Sequence, residues 1–381
     1  MRRTKHDHGN LFGTVLIYEI KKIVLNRFTV ITLIILTGYS LIQGVFQAEQ
    51  MGDYAARTRD LRRAIDGREI DDELLAEMVA AADEYGVFWN ESNCTYEGIA
   101  GWVRSIVGYG RPLSDYNADA VYQARLVLFR SSLTDAEKAY WYDQEEELKK
   151  PIVLHSHDEA QGLNDIILSI PLIMLFVITL FLSQIFAGEV RDRTDPLLRC
   201  TQGGWSATYW AKITAAVIVT LCLAVFTSFV SIVTSLVLWG NNGWDAAVQN
   251  VLPMVARPMT IGGFVVIQIT VALASSILLS VITCFLSECL NNPVAVMTSV
   301  FGGFLAILAG VRMVPYNIRP ISQILYLLSP MDMDSVTVLY EYRLIGWDGH
   351  FLTAWQFVPI LYMTIAVVLI VVGRFVYMKR N

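Results

Sequence analysis

Six stretches of this sequence run for 19 to 29 consecutive residues without Asp, Glu, Lys or Arg: 28–46, 166–188, 213–240, 259–287, 293–311 and 349–373. A bilayer core about 30 Å thick is crossed by about 20 helical residues at 1.5 Å each. In hydrocarbon a helix satisfies its own backbone hydrogen bonds, so each stretch predicts a membrane-crossing helix. The runs are too long and too continuously apolar for barrel strands, which alternate over about 10 residues. The two longest exceed what spanning requires and are expected to tilt or to run past the membrane. Only 17% of the chain is charged, against roughly 25% in soluble domains, which excludes an ordinary soluble enzyme. The fold class read from the sequence is an all-α polytopic membrane protein, with six transmembrane helices and a helical extracellular domain inserted after the first.

Flanking charge orients the spans. With the N-terminus inside, residues 1–27, 188–212, 288–292 and 374–381 carry 13 basic residues, and the short outer loops 241–258 and 312–348 carry 4. That asymmetry places both termini in the cytoplasm of a multi-pass protein of the cell (plasma) membrane. Residues 47–165 then lie outside, with 24 acidic and 12 basic residues. The acidic balance of the chain belongs to this domain and excludes nucleic acid as a partner. Residues 28–46 are longer than a secretory h-region and lack a small-x-small cleavage site, so they read as a retained signal anchor. Of the five cysteines only Cys94 lies outside, so the outer domain is held by packing rather than by an internal disulfide. Asn90-Glu91-Ser92 and Asn93-Cys94-Thr95 have the form of glycosylation sequons, meaningful only in a eukaryotic secretory pathway. The expected setting is a bacterial membrane.

The outer domain reads as helical. Thr134-Asp135-Ala136-Glu137 is a capping box opening a helix that runs to Lys150. Asp71 or Asp72 caps the run 73–85, and Val121, Ala124, Leu128 and Ser131 recur at helical spacing. Residues 86–116, with five glycines and a proline, read as loop. Within 312–348, residues 319–347 are too polar to span and too apolar for a free loop, which predicts a re-entrant segment dipping into the outer leaflet.

The cytoplasmic loop 189–212 carries more information. Asp195 suits an N-cap, Pro196 the first helical position, and Gly203-Gly204 a left-handed turn ending a short helix. Ser206 caps a restart into the third span. A rigid helix flanked by Arg191, Arg193, Arg199 and Lys212 is shaped to receive force from a soluble partner; a plain tight connection fits the same pattern. Residues 11–27 read as an amphipathic interfacial helix, with Phe12, Val15, Leu16, Ile20, Ile23 and Val24 on one side. Glu19, Lys21, Lys22 and Arg27 fall on the aqueous side, and a simple charged anchor is the alternative.

Glu19 with Lys21 and Lys22, Phe186-Ala187-Gly188-Glu189, the run Asp195-Pro196-Leu197-Leu198-Arg199-Cys200-Thr201, and Ala211-Lys212 together resemble the ABC-2 family of ABC-transporter permeases. The resemblance covers the six-span plan nearly end to end. It departs at Thr201-Gln202 and Gly203-Gly204-Trp205-Ser206, where many members have Thr-Pro and then Arg. It implies a permease subunit that pairs with a second permease subunit, as a homo- or heterodimer, and with ABC ATP-binding subunits. Glu19, Glu189, Asp195, Leu197, Leu198, Thr201 and Lys212 would form the ATPase-docking region. It also implies an exporter moving an amphiphilic or peptide-like substrate out of the cell.

The chain has no Gly-x-x-x-x-Gly-Lys-Ser/Thr loop, so it is read as no enzyme itself and as holding no cofactor; ATP and Mg belong to the partner. Candidate lining of a translocation path is Thr227 and Ser231 in the third span and Gln268, Ser276 and Ser280 in the fourth. These lie on stripes completed by Thr220, Ala224, Ser228 and Ser235, and by Ala272, Thr283 and Ser287. Small and hydroxyl residues also build packing seams. The spans hold no mid-membrane ionisable group for proton coupling. The two imidazoles and two carboxylates of His155-Ser156-His157-Asp158-Glu159 could bind Zn²⁺, but no distant further ligand is evident, so no metal is expected and the run reads as a solvated polar lead-in. The competing function is a membrane-anchored sensor or enzyme acting through its extracellular domain.

Overall fold

The computed structural model describes residues 8–25, 63–82, 95–108, 112–128, 133–155, 170–191, 204–239, 243–328, 339–347 and 350–379, with scattered positions between 31 and 45. Five helices are long and apolar enough to cross a membrane: Ile173–Arg191, Ser206–Val237, Ile261–Leu290, Pro293–Met313 and Ala354–Lys379. The chain is a multi-pass helical membrane protein. The first of the six apolar stretches, 28–46, lies largely outside the described residues; the positions described there, such as Ile31, Ile34 and Ile42, are helical.

Ahead of that stretch stands α1 (His8–Val24). The second stretch is two helices, α6 (Ile170–Leu182) and α7 (Ala187–Arg191), separated by a turn at 183–186. Helix α8 (Gly204–Trp239) starts eight residues before Lys212, so Ser206 lies within a helix already begun. Helix α9 (Ile261–Leu290) opens where Thr260 accepts the Gly263 N–H at 3.1 Å. It ends at Asn291, which takes the left-handed conformation at φ 55. Asn292 caps α10 (Pro293–Met313), with Pro293 in the first turn, where its missing N–H is not needed. The last span, α12 (Ala354–Lys379), starts later and runs further than its apolar stretch.

Between α10 and α12 the chain doubles back. Helix α11 (Arg319–Leu328) lays Leu325 against Gly310 of α10, its methyls 3.2 to 3.3 Å from where a Cβ would sit. The Tyr362 hydroxyl of α12 donates to the Leu327 carbonyl at 2.9 Å. A short hairpin follows, β1 (Ile345–Trp347) with β2 (His350–Leu352).

The described residues between 63 and 155 build a helical unit, most of it around a core of its own. Asp71 caps α2 (Asp72–Ala81), accepting the Leu74 N–H at 2.9 Å. The Thr134 capping box opens α5 (Asp135–Glu146), which ends four residues before Lys150. Helix α4 (Ala118–Leu128) is the third expected helix. The expectation of loop over 86–116 fails at α3 (Glu97–Val107). Ile99, Trp102, Val103 and Ile106 there sit at helical spacing and are buried against Leu74, Leu75 and Met78 of α2. Gly98 and Gly101 disguised that period, and their absent side chains face open space.

The unit is pinned to the segment between α8 and α9. The Asn250 side chain takes the place of a strand partner, accepting the His155 N–H at 3.3 Å and donating to the Val153 carbonyl at 3.2 Å. Trp102 Nε1 donates to the Gln249 carbonyl at 2.8 Å. A second attachment reaches the segment preceding β1, where Trp141 Nε1 donates to the Tyr342 carbonyl at 2.7 Å.

Candidate functional site

Helix α1 packs against α8, with Ile23 in the bundle core and Leu16 and Ile20 beside it. Glu19 stands four residues after Val15 and four before Ile23, so helical spacing places it on that same inward stripe. It is 3% exposed, which corrects its expected place on the aqueous side. A carboxylate there is tolerable because a cation meets it: Lys22 Nζ lies 3.7 Å from Glu19 Oε2.

Lys22 also donates to Glu189 Oε1 of α7 at 3.2 Å, and from α8 the Lys212 ammonium reaches the same oxygen at 2.5 Å. Lys212 is fully buried, its Nζ also donating to the Ile185 carbonyl at 2.7 Å and lying 5.0 Å from the centre of the Phe186 ring. Two carboxylates and two ammoniums thus form a neutral cluster shared by α1, α7 and α8. Charge neutrality offsets part of the hydration that a buried ionic group loses. Burial of Lys22 pulls its pKa down, but Glu19 and Glu189 outweigh that and hold it above the usual lysine value.

Three of the residues expected to dock an ATPase, Glu19, Glu189 and Lys212, are therefore brought together. Glu19 and Lys212 face packed protein, so in this conformation they join helices to one another. Asp195, Leu197, Leu198 and Thr201 lie outside the described residues. The five candidate lining residues, Thr227, Ser231, Gln268, Ser276 and Ser280, are all buried within the bundle. The Thr227 hydroxyl donates to the Leu223 carbonyl at 2.8 Å and that of Ser276 to the Ala272 carbonyl at 2.8 Å, each within its own helix.

Sequence reasoning passed over Glu288 and Tyr209 at the same end. Glu288 falls in the uncharged-span scheme's inner loop, yet α9 continues through it and buries it. Tyr209 donates to the Ile370 carbonyl of α12 at 2.6 Å. Room for both comes from Gly373: a Cβ there would lie 2.8 Å from the Tyr209 hydroxyl and 3.2 Å from Glu288 Oε2. The signal was a glycine near the end of an otherwise bulky span.

The opposite end holds a second ionic group. Arg343 grips Glu341 with two nitrogens, Nε at 2.6 Å and Nη2 at 2.5 Å. It also donates to Ser322 Oγ of α11 at 2.7 Å and lies over the Tyr316 ring, 3.9 Å from its centre. Glu137, buried at the start of α5, accepts from Thr134, from the Leu344 N–H at 2.8 Å and from Arg319 of α11. Burial pushes its carboxyl up, but the bonds from Arg319, Thr134 and Leu344 prevail and hold it below the usual range. Of the His155-to-Glu159 run only His155 is described, with Nδ1 3.6 Å from Asp66. Among the described residues no group of three His, Cys, Asp or Glu could hold a metal.

No protein-family model, curated protein or solved structure matches the chain.

Proposed function

We propose that the chain is the membrane permease subunit of an ATP-driven ABC exporter of the ABC-2 type. It works with a second permease subunit and with separate ATP-binding subunits that carry ATP and Mg, and it moves an amphiphilic or peptide-like substrate out of the cell. In this reading residues 28–46 are the first of six spans, the connector end faces the cytoplasm, and residues 47–165 form an extracellular domain.

One observation carries the proposal. The elements on either side of the connector 192–203, α7 and α8, are joined by Glu189 and Lys212, and Lys22 ties α1 into the same group. A push on the connector therefore moves three elements together rather than bending a loop. Lys212 and Tyr209 pass that movement to α7, α9 and α12, because both are seated among buried groups of those helices. The chain brings no phosphate-binding loop of its own, so the push comes from another polypeptide.

Purification from the native membrane in mild detergent tests this. A P-loop ATPase is expected to copurify, with ATP hydrolysis that responds to amphiphilic cargo. Recovery of an active protein with no such companion would sink the proposal. Loss of all activity on deleting 50–160, with no ATP dependence, would favour a sensor or enzyme working through the outer domain.

A further inference from the structure

Between α6 and α7 three links of the helical ladder are taken over by side chains from other helices. The N–H groups of Phe186 and Ala187, which in a continuous helix would donate to the carbonyls of Leu182 and Ser183, instead donate to Ser287 Oγ of α9 at 3.2 and 3.0 Å. The Ser287 hydroxyl donates in turn to the Ser183 carbonyl at 2.7 Å. The Ile185 carbonyl, left by the ladder, receives Lys212 Nζ. The Leu182 carbonyl closes a tighter bond with the Ile185 N–H at 3.1 Å. Helical breaks inside a membrane arise at proline, at glycine or serine pairs, or where a side chain enters the ladder. Ser183-Gln184-Ile185-Phe186 has neither proline nor glycine. The break is imposed by Ser287 and Lys212.

We infer that the turn at 183–186 is a hinge and Ser287 its pin, a positioning residue for movement of the connector. Its use in transport rests on the exporter reading above; the hinge itself does not. On one side α7 is tied through Glu189 to α1 and α8. On the other, α6 packs along α9 and carries no charged residue. A displacement of the connector changes the angle between α6 and α7. A single hydroxyl that accepts two N–H groups and donates once can turn while keeping them paired, so bending does not strand backbone polar groups in the membrane.

The full chain in lipid nanodiscs tests this without any motor. Spin labels replace Phe176 and Arg191, exposed residues on either side of the turn, in a chain whose five cysteines are substituted. The control pair, Ile218 and Val233, is exposed and has the same sequence separation within the unbroken α8. The distance distribution across the turn is expected to be about twice as wide as the control; equal widths overturn the hinge. Amide exchange supplies the second reading. Ser287→Ala should speed exchange at Phe186 and Ala187 about tenfold, with α6 and α9 unchanged and Ser287→Thr close to the parent. Unchanged exchange, or loosening of both helices throughout, overturns the role of Ser287. A mobile turn in a chain that needs no ATPase would retain the hinge and refute the exporter reading alone.

Discussion

Lys22 and Lys212 share one carboxylate oxygen but differ in solvation. Lys212 is fully buried, and the side chain of Lys22 is 42% exposed. Removing a buried partner strands the opposite charge at about 3–5 kcal/mol, whereas an exposed pair contributes about 0–1 kcal/mol. Lys212→Met is therefore expected to lower the unfolding temperature in detergent strongly, and Lys22→Met barely. Equal small shifts would show that the cluster is not buried in the membrane-embedded protein. Glu189 accounts for the contrast, because its remaining bond in each variant is either the short buried one or the long exposed one.

Among elements, α5, α11 and the β1–β2 hairpin meet through Glu137. Its carboxyl is held below the ordinary value of 4.5, so the stabilisation is fully present above that pH and is lost as the pH falls through the depressed folded-state value. Acidification below about pH 4.5 should release Arg319 and the Leu344 N–H. The indole of Trp141, bonded to the Tyr342 carbonyl nearby, reports the event. The fluorescence difference between the parent and Trp141→Phe is expected to shift to the red as the pH falls below 4.5, through the depressed folded-state value. Glu137→Gln should show that shift at neutral pH. A signal flat with pH in both would refute the clamp. The capping box that builds this site was plain in the sequence; the two additional donors were not, since they lie about 180 and 200 residues away.

For the whole molecule, α2, α3 and α4 share a core of their own that is fastened to the segment between α8 and α9 by Asn250 and Trp102, while Leu133 and Trp141 near α5 pack in a second cluster with Ala256 and Leu344. Each polar attachment contributes about 0.5–1.5 kcal/mol, and a stranded buried group costs about 1–3 kcal/mol. Asn250→Ala combined with Trp102→Phe is expected to split a single calorimetric transition into two, one for the unit and one for the bundle. A single transition in the double variant would mean that apolar contacts such as those of Met254 hold the two parts together unaided.

The sequence by itself determined that this chain is helical and crosses a membrane several times, and it marked where two of the outer helices begin. Those properties are set by a residue's own solvation and by partners within one helical turn: an uncharged run, and the caps Asp71 and Thr134. The helix α3 and the inward Glu19 were also written in local spacing, hidden by two glycines and by the habit of sending charge to water. Only the tertiary structure decided that Lys212 is buried, that Glu288 fits beneath Gly373, and that a span breaks at 183–186 where no proline or glycine marks it. In each case the deciding partner is on another helix, and the energy of a buried charge or an open backbone bond depends on what meets it rather than on its neighbours in the chain.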